Sequence, residues 1–164
     1  MLFRSNAKNA GLAGSIAFAN IENLTGSTSN DIFTFTSTGS LTGTAGVNGN
    51  SGTTDSLVLS TLDESIVLTD PSTTGFKGSV SAPSTVTNFT NINSINGGNG
   101  NDTLTGDDAI AAWGVAATND YVSNGRTTAF SAIENLVGGS GEDAFSVSGA
   151  RTVNINGAGG NDVF

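Results

Sequence analysis

Cysteine and histidine are both absent from this chain of 164 residues. The absence of cysteine excludes a disulfide scaffold. Together the two absences exclude the common zinc sites and the Ser-His-Asp and Cys-His catalytic sets. Basic residues are also few, with 5 lysines and arginines against 14 aspartates and glutamates, so the formal net charge is −9. This balance argues against nucleic acid and anionic membrane surfaces as partners, and it favours hard cations such as Ca²⁺.

Long apolar runs are missing as well. No run approaches the roughly 20 apolar residues of a membrane-spanning helix, so no membrane span is predicted. The opening residues, MLFRSNAKNAG, lack the apolar core of a signal peptide. They predict either that the chain is cut from a longer protein or that its export does not use the N-terminus.

Short β-prone runs are what the sequence contains instead. Examples are SLVLS (56–60), SIVLT (65–69) and TVNIN (152–156), and about half of all residues are Gly, Ser, Thr or Asn. Many short strands separated by Gly, Asn and Asp turns predict an all-β protein. The best helix candidate is residues 107–117, but Gly114 and the flanking turns argue against a helix there.

Internal repeats are the strongest sign of organisation. AFANIENLTGSTSNDIF (17–33) and AFSAIENLVGGSGEDAF (129–145) share nine of seventeen positions, and NFTNINSINGGNGNDTL (88–104) is a third copy. We therefore predict a single β-solenoid segment over residues 1–164, with copies near 17–62, 88–128 and 129–164 and an irregular coil at 63–88. Because the chain opens and stops within a repeat, it is predicted to be a fragment of a longer array.

The spacing of aspartates predicts how the coils stack. Successive aspartates lie about 20 residues apart, which suits one coil of a right-handed parallel β-solenoid. Asp102, Asp120, Asp143 and Asp162 should then form one column along the molecule. The residues predicted to point inward are Leu24, Phe33, Leu57, Leu59, Leu104, Leu136, Phe145, Ile155 and Phe164.

The turns themselves follow a nine-residue pattern. Residues 97–105 and 138–146 read Gly-Gly-x-Gly-x-Asp-x-apolar-x in full, and residues 157–164 do so with Ala158 in place of a glycine. Glycine permits positive φ angles and leaves carbonyl oxygens uncovered. The aspartate adds a carboxylate beside those carbonyls, and this oxygen-rich set is what Ca²⁺ prefers.

This pattern resembles the calcium-binding nonapeptide of RTX-type secreted proteins. The wider IENL-GG-G-D-F unit is similar to the repeat arrays of giant bacterial surface proteins of the haemagglutinin and adhesin kind. The resemblance implies Ca²⁺ as cofactor, held by Gly97, Gly98, Gly100, Asp102, Gly138, Gly139, Gly141, Asp143, Gly157, Gly160 and Asp162. RTX turns follow each other directly, whereas these are single, so the pair Asp143 and Asp162 is the best candidate for a complete site. The alternative is a solvated turn without an ion.

Three functions follow as hypotheses. The first is a structural module, a stalk, filament or adhesin shaft of an extracellular or cell-surface bacterial protein, which associates end to end or with neighbouring repeats. The second is a module that presents loops to glycans or a host surface, with Trp113 or Tyr121 stacking on sugar rings. The third is a carbohydrate-active enzyme, but the adjacent acids Asp107–Asp108 and Asp63–Glu64 would point to opposite faces of a strand, and no catalytic residue is predicted.

Overall fold

The computed structural model describes residues 1–7, 10–13, 15–36, 39–59, 62–81 and 84–164. Over these residues it consists of strands and turns without a helix, which confirms the all-β prediction. Residues 107–117, the helix candidate, contain a strand instead. Nowhere in the described part of the chain is there a helix long and apolar enough to cross a membrane.

Nineteen strands are described, and most are short. The first ten are β1 (Leu2–Ala7), β2 (Ala10–Ala13), β3 (Ile16–Ala19), β4 (Leu24–Thr25), β5 (Ile32–Phe35), β6 (Ser40–Leu41), β7 (Val47–Asn48), β8 (Ser56–Val58), β9 (Ser65–Pro71) and β10 (Phe76–Ser81). The others are β11 (Thr85–Ile92), β12 (Ser94–Asn96), β13 (Thr103–Thr105), β14 (Ala111–Val115), β15 (Asn119–Ser123), β16 (Arg126–Ser131), β17 (Asn135–Val137), β18 (Asp143–Val147) and β19 (Asn154–Asn156).

The strands form two sheets, and the chain crosses repeatedly from one to the other. The first sheet has the order β18-β14-β15-β16-β12-β8-β5-β1-β2-β3, and the second has the order β19-β17-β13-β9-β10-β11-β7-β4, with β6 also paired to β11. Strands from successive crossings pair in parallel, as in β5 with β8 and β13 with β17. The apolar side chains of both sheets meet in one core.

Three antiparallel meanders interrupt this parallel stacking: β1–β3, β9–β11 and β14–β16. The sheets are therefore mixed, and a purely parallel arrangement does not describe them. A local turn signal explains one meander, because Asn124 and Gly125 both have positive φ (49° and 73°) and form the two-residue turn between β15 and β16. The region predicted as an irregular coil, 63–88, contains most of the second meander.

The three sequence copies follow the same path through the sheets. In each copy a phenylalanine lies in the last strand of a meander, an apolar residue in the next short strand, and another after the aspartate turn. These residues are Phe18, Leu24 and Phe33; Phe89, Ile95 and Leu104; and Phe130, Leu136 and Phe145. The middle copy has the two sheets exchanged.

The predicted inward residues are mostly in the core. Leu24, Phe33, Leu57, Leu59, Leu104, Leu136 and Phe145 are buried. Ile155 is only partly buried. The prediction for Phe164 is wrong, since its side chain is 88% exposed. It follows the single bridge between Ala144 and Val163, and no described strand covers it.

Candidate functional site

The aspartate of each turn folds its carboxylate back onto the turn. Asp31 Oδ2 accepts a hydrogen bond from Ser27 N at 2.6 Å, and Asp143 Oδ2 accepts one from Gly139 N at 3.0 Å. Both carboxyl groups are almost completely buried. A charged or polar group can be buried at tolerable cost when backbone donors satisfy it, so the carboxylate acts as the centre of the turn.

The backbone amides of these aspartates donate to the carboxylate of the next turn in the stack. Asp31 N donates to Asp55 Oδ1 at 2.8 Å, and Asp143 N donates to Asp162 Oδ1 at 3.0 Å. Asp55 N in turn donates to Asn93 Oδ1 at 2.9 Å. These residues form what we call the first column, where the chain crosses from the second sheet to the first.

A second column lies where the chain crosses in the opposite direction. Glu64 N donates to Asp102 Oδ1 at 2.7 Å, and Asp102 N donates to Glu134 Oε2 at 2.8 Å. Sequence reasoning missed the role of both glutamates, although Glu134 belongs to the repeated IENL motif. The steps between these residues are 38 and 32, and in the first column the step from Asp55 to Asn93 is also 38, against 24 and 19 for its other two hydrogen-bonded steps. Each longer step contains a meander.

The single column predicted for four aspartates is therefore wrong. Asp143 and Asp162 are neighbours in the first column, but Asp102 belongs to the second. Asp120 lies inside β15, opposite Ala129, and not in a turn. The reason is that residues 97–105 cross from the first sheet to the second, whereas 138–146 cross back, so successive turns lie on opposite sides.

The first position of each turn must be glycine because a side chain there would collide with the aspartate carboxylate. A Cβ atom would lie 2.5 Å from Asp31 Oδ2 at Gly26, 2.6 Å from Asp102 Oδ2 at Gly97 and 2.5 Å from Asp143 Oδ2 at Gly138. The predicted need for positive φ does not apply at this first position. Within the three nonapeptides φ is positive only at positions two and four, at Gly98, Ala158 and Gly160. The carboxylate thus occupies the place of a side chain five residues earlier.

The glycine at the fourth position of each nonapeptide allows the backbone of a neighbouring segment to approach. A Cβ atom would lie 2.5 Å from Leu62 O at Gly100, 2.5 Å from Ala109 O at Gly141 and 2.1 Å from Gly141 O at Gly160. Any other residue would push these neighbouring segments apart. The glycine at position one therefore makes room for the aspartate of its own turn, and the glycine at position four makes room for the backbone of a neighbouring turn.

Trp113 and Tyr121 do not form a sugar-stacking surface. They are 1% and 0% exposed, and Trp113 Nε1 donates to Asp143 Oδ1 at 3.0 Å. Tyr121 OH donates to Asp107 Oδ1 at 2.8 Å, and burial raises the pKa of this phenol. As expected for adjacent acids, Asp107 is buried while Asp108 is exposed.

The residues around Asp143 do not fit a calcium ion. Both of its carboxylate oxygens already accept N–H donors, from Trp113 and Gly139, and one oxygen of Asp162 accepts the amide of Asp143. Calcium needs six to eight oxygen ligands that are free to turn toward it. Over the described ranges, no group of three or more acidic side chains is placed to hold a metal ion. Calcium binding in solution stays a prediction.

Several buried carboxylates retain one oxygen without a hydrogen-bond partner. These oxygens are Asp55 Oδ2, Glu64 Oε1 and Asp102 Oδ2. Burial raises the pKa of all three carboxyl groups and of Asp143. Asp31 is the exception: the N-terminal ammonium and Ser27 outweigh its burial and lower its pKa.

These shifts predict that mild acid stabilises the chain. A carboxyl group with a raised pKa binds a proton more tightly in the folded state, so the free energy of unfolding falls as pH rises from the ordinary pKa through the raised one. The lowered pKa of Asp31 acts in the opposite sense on a single group. Self-repulsion from the net charge of −9 also weakens on acidification. We expect a higher melting temperature at about pH 5 than at about pH 7.5.

Two variants identify the groups responsible. Asp102→Asn removes one titrating buried group and should reduce the pH dependence of the melting temperature. Asp70→Asn, at an exposed position, should leave it unchanged. A melting temperature that falls on acidification in the parent chain would show that the buried carboxylates stay ionised.

Among the described residues, the four main surface grooves contain no set of converging acids. One groove, about 490 Å³, runs along the second sheet, and Asp108 is the charged residue among those lining it. One oxygen of Asp108 accepts the amide of Ser140 at 3.0 Å. No protein-family model, curated protein or solved structure matches this chain.

Proposed function

We propose that this chain is a structural segment of a repetitive β protein, the shaft, stalk or filament part of a larger molecule. The observation that carries the proposal is the use made of the repeated motif. Its glycines make room for carboxylates and backbone, its aspartates and glutamates accept amides of neighbouring coils, and its apolar residues lie in the core. The described motif residues thus serve stacking, as expected where each coil contacts its neighbours.

The proposed architecture is a right-handed parallel β-solenoid interrupted by three meanders. Parallel crossovers between neighbouring strands favour right-handed connections. In the regular part the coil step is 19 to 24 residues. An extracellular or cell-surface position in bacteria is proposed from the resemblance of the nonapeptides and IENL units to secreted and surface arrays. End-to-end association with neighbouring repeats belongs to the same proposal.

Thermal melting of the Asp143→Ala variant tests the structural role against the calcium role. The substitution leaves Trp113 Nε1 and Gly139 N without acceptors, and we expect a loss of about 2 kcal/mol. The melting temperature should drop by about 6 °C, equally in calcium and in a chelator. The exposed Asp70→Ala variant is the control, with no drop expected in either condition.

Thermal melting with added ligands also tests the calcium-binding and glycan-binding functions. A ligand that binds only the folded chain raises its stability by about 2.7 kcal/mol at a hundredfold excess over the dissociation constant. A purely structural role gives no such rise with calcium or with a panel of oligosaccharides. A rise with calcium that Asp143→Ala abolishes would support the calcium site instead, and a rise with one oligosaccharide would support the loop-presenting module.

A further inference from the structure

The outer edges of β3 and β4 are unpaired. β3 ends the first sheet and pairs only with β2, and β4 ends the second sheet and pairs only with β7, among the described residues. Two adjacent edge strands with free sides are a template for a further chain segment. The same elements occur a second time in this molecule, 112 residues later, as β16 and β17. There, both edges are occupied.

Burial differs at equivalent positions of the two copies. Ile16 is 72% exposed, while its equivalent Thr128 is 0% exposed. Ile21 is 39% exposed, while its equivalent Ile133 is 5% exposed. In the later copy, β16 pairs with β12 and β17 pairs with β13. The first copy therefore presents apolar side chains at positions that the fold buries when a further coil is present.

The occupied edge shows which segment fits. β12 pairs in parallel with β16, with Ile95 opposite Phe130, and β13 pairs in parallel with β17, with Leu104 opposite Leu136. Backbone bonds join the segments outside the strands as well: Ala129 N donates to Asn93 O at 2.8 Å, and Gly106 N donates to Val137 O at 2.8 Å.

We propose that the edges of β3 and β4 are a docking site for one strand–turn–strand segment with the chemistry of residues 94–105. The segment carries an apolar residue in each strand, placed opposite Phe18 and Leu24, and a glycine–aspartate turn between the strands. It adds one parallel strand to each sheet and covers Ile16 and Ile21. This inference rests on the proposal that the chain is part of a repetitive structural protein, and it names the partner that such a protein supplies at this end.

An extended chain tests the docking site. Residues 93–110 are copied in front of Met1, because in the chain they lead directly into β14, the equivalent of β1. Hydrogen exchange of the backbone amides of residues 16–25 is then compared with that of the unextended chain. We expect exchange to slow about tenfold, because the amides gain partners and lose access to water. The melting temperature should rise by about 5 °C.

A matched extension provides the control. It has the same length but carries Ile95→Asn and Leu104→Asn in the copied segment only, so it lacks the apolar residues that would face Phe18 and Leu24. We expect exchange in residues 16–25 as fast as in the unextended chain. Equal exchange with both extensions would overturn the proposal. Slow exchange in the unextended chain that depends on protein concentration would also overturn it, because a second copy would then hold the edge.

The result is separable from the test of the proposed function. Asp143 begins β18, at the opposite end of the first sheet from β3. If the extension gives no protection while Asp143→Ala destabilises the chain equally with and without calcium, the docking site fails and the structural role stands. If Asp143→Ala acts only in calcium, the structural role of the turns fails, whatever the extension does.

Discussion

Trp113→Ala should destabilise the chain by about 4 kcal/mol, a typical cost for removing a buried aromatic side chain. The indole stacks on Phe145 with ring centroids 5.5 Å apart and meets Tyr121 edge-on at 4.4 Å. Its removal leaves a cavity where the third meander packs on β18, and it leaves Asp143 Oδ1 without a donor. Because single domains are stable by only about 5–15 kcal/mol, the urea midpoint should fall sharply.

Trp113→Phe separates the two parts of this effect. Phenylalanine keeps an aromatic ring in the cluster but cannot donate to Asp143, so we expect a loss of about 1.5 kcal/mol. Urea unfolding of the parent and both variants measures the difference. If Trp113→Ala keeps its stability and instead loses binding to an oligosaccharide, the indole is a surface group and the core described here is wrong.

Gly138→Ala should cost about 3 kcal/mol, the upper end for overpacking. The added Cβ would lie 2.3 Å from Gly157 O and 2.5 Å from Asp143 Oδ2. The first contact is with backbone, which cannot rotate away. The second displaces the carboxylate that accepts Gly139 N and Trp113 Nε1. One methyl group therefore disturbs both the turn and the contact between two coils.

Gly159→Ala is the matched control within the same kind of turn. A Cβ at Gly159 would lie 3.5 Å from Ser140 Cα, an ordinary contact, and its φ is not in the positive range. We expect no measurable loss of stability in urea or thermal melts. Equal losses for both variants would mean that these glycines serve backbone freedom in general and do not make room for the carboxylate.

The local features of this chain were predictable from the sequence because they are decided over short distances. A glycine and an aspartate five residues apart make a turn whose hydrogen bonds close within four residues, as Asp143 does with Gly139. The apolar residue two positions after the aspartate, such as Leu104 or Phe145, enters the core directly. For the same reason the all-β class could be predicted without coordinates.

What only the tertiary structure decided are the contacts between distant segments. The side of the molecule on which each turn lies depends on which sheet the chain has reached, so Asp102 separated from Asp143 although their nonapeptides match. Glu64 and Glu134 contact Asp102 in the second column although they lie 38 and 32 residues from it in the sequence. Trp113 binds a carboxylate 30 residues away. A local sequence pattern does not predict such distant partners, because burial and strand pairing depend on how all the strands pack around the core.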